Sequence, residues 1–147
     1  MKDHVNYSIR DFQILGGHLT SLISFYREDK VGIYPDGVIS KKVSFISGIS
    51  EILIGSLLAS YKFNKYKKIN DKKDKIKKSS KVKIYSSSYS RLEKNYINVE
   101  AVSEGTTLTR NLVTEPPNVM TPPEIAKNAE SLEKIGIKVT ILGEKEM

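Results

Sequence analysis

The chain has 147 residues, 39% of them hydrophobic and 28% charged, which excludes a disordered tail, a collagen-like repeat or a mainly membrane-embedded protein. It has no cysteine, so disulfide frameworks, thiolate zinc sites and cysteine nucleophiles are excluded. A net charge of +7, taken alone, points to an anionic partner such as nucleic acid or a membrane surface.

Met1–His4 is not followed by an apolar run, so no secretory leader is expected and a cytoplasmic, soluble protein is the default reading. From Ile9 to Glu28 the residues Phe12, Leu15, Leu19, Leu22 and Tyr26 recur at three and four positions, which predicts an amphipathic helix. Ser8 and Asp11 form its expected N-terminal cap. Gly16-Gly17 weakens the helix middle and suggests close packing against a sheet. A strand is expected over Lys30–Tyr34, closed by the turn Pro35-Asp36-Gly37. A second helix follows over Ser47–Tyr61, with Ile49, Ile52, Leu53, Leu57 and Tyr61 on its buried face.

The basic charge collects next. Between Lys62 and Lys83 there are eleven lysines and two aspartates, so the rest of the chain is slightly acidic. Lysine outnumbers arginine twenty to four, and lysine lacks the planar fork that reads guanine, which argues against base-specific recognition. Tyr61, Phe63 and Tyr66 alternate with Lys62, Lys65, Lys67 and Lys68, a pattern that sequence-tolerant single-strand binders use. The favoured reading is plainer: the aromatics finish the second helix's core face and the lysines beyond form a solvated connector.

A strand is expected at Val82–Tyr85, then a polar connector over Ser86–Ser90. A third helix is predicted over Arg91–Val113, with Leu92, Tyr96, Val99, Val102 and Leu108 as its apolar stripe. It stops at Glu115-Pro116-Pro117-Asn118, because proline cannot continue a helix. Thr121, Pro122 and Glu124 spell a helix start with a capping box. That helix runs to Ile135, ends at Gly136 and leads into an expected strand, Ile137–Leu142. Helices alternating with short apolar strands indicate an α/β architecture.

No catalytic constellation emerges from these residues. His4 and His18 stand apart, without the clustered ligands a metal needs. Ser86-Ser87-Ser88 lacks the strand–turn–helix elbow of a serine nucleophile. The glycines do not follow the spacing of a phosphate-binding loop. The predicted catalytic, cofactor-binding and metal-ligating residues are therefore none.

Two stretches say more. Leu57-Leu58-Ala59-Ser60-Tyr61-Lys62-Phe63-Asn64-Lys65-Tyr66-Lys67 resembles a segment of the leucyl aminopeptidases, the cytosol aminopeptidase family, in which a helix end precedes a lysine-rich connector. Glu104-Gly105, Leu108, Arg110-Asn111-Leu112-Val113, Glu115-Pro116-Pro117-Asn118 and Thr121-Pro122 resemble that family's linker and the first helix of its catalytic domain. Asn111 and Thr114 depart from the more usual Asp and Asn.

The resemblance covers the chain from about residue 10 onward and implies three parts. Residues 1–90 would form most of an N-terminal α/β macro-domain-like unit, without its opening strands and with the basic connector at 62–83. Residues 91–115 would be a linker helix, and 116–147 the first helix and strand of the peptidase domain. It further implies a metal-dependent exopeptidase in full-length members, usually hexameric, that removes N-terminal residues such as leucine using two divalent ions, manganese or zinc. The family's metal ligands and catalytic residues would all follow Met147. The expectation is thus a truncated, non-catalytic piece holding no cofactor, with no membrane partner. Its peptide substrates would be those of the full-length family. Non-specific nucleic-acid binding through 62–83 is the alternative.

Overall fold

The computed structural model describes residues 6–37, 41–67 and 80–146. They form four α-helices and two short strands: α1 (Ile9–Tyr26), β1 (Lys30–Ile33), α2 (Phe45–Ser60), β2 (Lys81–Ile84), α3 (Tyr89–Thr114) and α4 (Pro122–Glu130), with 3-10 turns at Pro35–Gly37 and Ser131–Ile135. Two compact units divide within α3, one covering Met1–Thr107 and the other Leu108–Met147.

In the first unit β1 and β2 pair in parallel, Lys30 beside Lys81 and Ile33 beside Ile84. Parallel neighbours need a crossover connection, and α2 lies in it. The arrangement is helix-rich and mixed, compatible with the α/β class.

Local chemistry fixes the helix ends. Ser8 caps α1 as the sequence predicts: its Oγ accepts from Asp11 N–H at 3.3 Å, and Ser8 N–H donates to Asp11 Oδ2 at 2.8 Å. The helix stops at Tyr26, short of Glu28, because Arg27 turns into the left-handed region at φ 57°. α2 begins at Phe45, ahead of Ser47, because Ser44 Oγ accepts from Ser47 N–H at 3.2 Å.

The core joins Phe12, Ile49, Ile52 and Leu92, with Leu19, Phe45, Leu53 and Ile84 packed against it. On α1 the contact face differs from the predicted stripe: Leu15, Leu22 and Tyr26 are exposed. The helices cross at Gly16, where an added Cβ would overlap the carbonyl oxygen of Ile52, and at Gly55, where it would overlap that of Gln13. The buried face is therefore centred on Gly16. Leu15, Leu22 and Tyr26 lie roughly 80–120° around the helix from it. The close packing read from Gly16-Gly17 is thus against a helix, not a sheet, and only Gly16 requires it. With backbones this near, side chains bond across: Thr20 Oγ1 donates to Ser56 O and Ser56 Oγ to Gly16 O, both at 3.0 Å.

α2 is apolar on most sides, as a helix buried between layers should be; of its predicted face only Leu57 is exposed. α3 buries Leu92, Val99 and Ser103, and Asn95 Nδ2 donates to Ser50 Oγ of α2 at 2.6 Å. Tyr96 and Val102, predicted on the stripe, are exposed.

The second unit departs from expectation twice. Thr121 has the extended backbone of a cap, yet its hydroxyl makes no capping bond, so the predicted capping box does not form. Pro123 at the second helical position lacks one of the two N–H groups a cap hydroxyl can reach, and Glu124 turns to Lys127 at 3.7 Å instead. The expected strand Ile137–Leu142 is absent as well. A strand exists by pairing, and the described residues of this unit hold no strand to pair with. Gly136 ends the preceding turn at φ 86°, as its position predicts.

Candidate functional site

In open α/β sheets ligands sit beyond the carboxyl ends of the strands, and here those ends are tied together. Asp36, in the turn after β1, accepts from Ser86 Oγ at 2.5 Å and from Ser87 N–H at 2.8 Å. Ser86 Oγ in turn accepts from Ser88 N–H at 3.1 Å. The first α3 amide, of Tyr89, donates to Ser86 O at 3.2 Å, and those of Arg91 and Leu92 donate to Ser88 O at 3.1 Å. A carboxylate therefore stands at the start of a 26-residue helix, where the dipole favours negative charge.

The Ser86 hydroxyl, then the Ser87 amide, hold the Asp36 carboxyl below its ordinary value of 3.8. A lowered folded value means that the clasp stabilises the fold above the unfolded value and loses that contribution as pH falls through the folded one. Asp11, held down chiefly by the Ser8 amide, has the same sign. The expected result is an acid-side fall in melting temperature below pH 3.8 that is shallower in Asp36→Asn. Identical pH profiles for the two chains would contradict the clasp.

This cluster ties the two strand ends to the start of α3. Ser86 gives its proton to a carboxylate and not to an imidazole, His18 is exposed on α1, and His4 lies outside the described residues. Among the described residues no group of three His, Asp or Glu could hold a metal ion.

Of the lysine segment, 68–79 lie outside the described residues. In the described part the Phe63 and Tyr66 rings are 5.9 Å apart and Lys65 Nζ stands 5.5 Å from the Tyr66 ring centre. Tyr61 and Phe63 are half-buried, while Lys62, Lys65, Tyr66 and Lys67 are exposed. Along α4 and just after it, Asn128 Nδ2 donates to Glu124 O at 2.7 Å and Ser131 Oγ to Asn128 O at 2.6 Å. No described helix is long and apolar enough to cross a membrane.

The clasp escaped the sequence reading. Pro35-Asp36-Gly37 and Ser86-Ser87-Ser88 read as a turn and a connector, and only the parallel pairing of the strands before them brings the two together. That both follow predicted strands is the one signal that could have found them.

The chain is similar to several relatives that carry the name "Probable cytosol aminopeptidase". The one from Rhizobium leguminosarum bv. trifolii is 40% identical over 120 residues, 81% of this chain and 24% of its own length. Two come from Rhizobium etli. One is 37% identical over 138 residues, 93% of this chain and 27% of the relative. The other is 43% identical over 99 residues, 67% and 20%. The chain thus spans about a quarter of the length of these relatives. No family model and no solved structure matches it.

Proposed function

We propose, for a chain that belongs by sequence to the cytosol aminopeptidase family, that it supplies the non-catalytic amino-terminal part of a metal-dependent leucyl aminopeptidase. In this reading residues 1–90 are a macro-domain-like unit, 91–115 the linker helix and 116–147 the opening of the peptidase domain. The observation that carries it is the relatedness itself, which extends over 93% of the chain yet only 27% of the relative. It is supported by the continuous α3, which contains the Glu104–Val113 motif and stops before Pro116-Pro117.

The two divalent ions, manganese or zinc, that such an enzyme uses would polarise the scissile carbonyl and activate water. Their ligands, the peptide site and hexameric assembly belong to the longer protein. This segment's own contribution is structural: Asp36 pins the start of α3, and the Gly16–Gly55 crossing fixes α1 on α2. The relatives' name refers to the cytosol, and we extend that location to this chain.

Two assays on a chromogenic leucine amide with added manganese or zinc test the reading. The 147-residue chain is expected to release no leucine. Fused in place of the matching quarter of the Rhizobium leguminosarum relative, it is expected to give metal-dependent turnover. Turnover by the chain alone, or a folded but inactive fusion, would overturn the proposal.

A further inference from the structure

One face of the small sheet is not built for burial. Side chains alternate across a strand, so the parallel register puts Lys30 beside Lys81 and Gly32 beside Lys83 on one face. The ladder continues to Tyr85 N–H, which donates to Ile33 O at 2.9 Å, and brings Tyr34 beside Tyr85. The two rings stack with centres 5.0 Å apart and planes 13° apart. They lean back over Gly32, where an added Cβ would stand 3.4 Å from the Tyr85 ring and 3.6 Å from that of Tyr34. All six residues are exposed, Tyr34 by 75% and Tyr85 by 47%. The opposite face holds Ile84, which packs on the core.

Parallel strands covered on both sides read as continuous apolar runs, whereas these alternate lysine, glycine or tyrosine with valine or isoleucine. Covering this face with an apolar layer would bury lysines without partners, at high cost. Lys30 and Lys81 stand side by side as like charges, which weakens the pair unless an anion lies over it. None of the six described residues that form this face is acidic. The stacked rings add an open aromatic surface at its end.

We propose that this face binds single-stranded nucleic acid without sequence preference, with phosphates on Lys30, Lys81 and Lys83 and a base stacked on the outer side of Tyr34. Duplex bases offer no free face to stack, and lysine holds phosphate as a point charge without reading base edges. The site is distinct from the 62–67 aromatic–lysine stretch.

The test is fluorescence anisotropy of a labelled twelve-residue oligothymidylate and of an abasic strand of equal charge, titrated with the full chain across a salt series. The thymidylate should bind more tightly than the abasic strand. Changing Lys30, Lys81 and Lys83 together to glutamine should reduce the slope of log affinity against log salt by about 2. Tyr34→Ala should weaken binding about tenfold while leaving that slope unchanged, and Tyr34→Phe should restore it. Circular dichroism identifies any variant that fails to fold. No binding at low salt, equal affinity for the abasic strand, or loss only when Lys72, Lys73, Lys77 and Lys78 become glutamine would each overturn the proposal.

Discussion

Gly55→Ala is expected to destabilise the protein by about 3 kcal/mol, at the upper end of what overpacking costs. The added methyl carbon would overlap the Gln13 carbonyl oxygen and stand 2.8 Å from its Cα. Both are backbone atoms, which cannot turn aside as a side-chain tip can. The helices must then move apart, stretching the Thr20–Ser56 and Ser56–Gly16 bonds that their closeness allows. Gly16→Ala meets Ile52 from the other helix and should cost a similar amount. Gly17 is the control one residue away: a Cβ there would rest 3.9 Å from that of Ala59, an ordinary contact. Alanine favours a helix over glycine, so Gly17→Ala should gain about 0.5–1 kcal/mol. Urea denaturation reads all three. If Gly55→Ala and Gly17→Ala shift the midpoint in the same direction, the close crossing is wrong.

The contrast between Gly16 and Gly17 also marks where the sequence could be read and where it could not. Local chemistry was legible: Ser8 and Asp11 capped α1 as read, the proline pair ended α3, and Gly136 closed the turn after α4. Both strands of the first unit fell within a residue of where apolar alternation put them. The facing of each helix was less legible. Leu15, Leu22 and Tyr26 have the right spacing for a buried stripe, but the face is set by where α2 crosses, and that depends on Gly55, far off in sequence. The Asp36–Ser86 clasp joins residues 50 apart, so it too needs the tertiary pairing. For Ile137–Leu142 the pattern was that of a strand, but pairing is a property of two segments. The leucyl aminopeptidase resemblance rested on contiguous motifs, for which no tertiary knowledge is required, and the relatives bear it out.

Phe12→Ala should cost about 3–4 kcal/mol, the range for losing a buried phenyl ring. Phe12 is 3% exposed and shares the core with Ile49, Ile52 and Leu92, so its removal empties a space bounded by two helices and the start of a third. Its ring also explains Gly48: a Cβ there would lie 3.1 Å from two ring atoms, tighter than an unstrained contact. Gly48→Ala by itself therefore sets a gain in helix propensity against compression of the ring. Once Phe12 is shortened to leucine the compression is relieved, and the alanine methyl fills part of the space the ring leaves. The two changes should then be non-additive, with Gly48→Ala more favourable in the Phe12→Leu background than in the parent chain. A double-mutant cycle measured by urea denaturation isolates that coupling. An additive cycle, or a Phe12→Ala chain as stable as the parent, would mean that the ring does not fill the contact between α1 and α2.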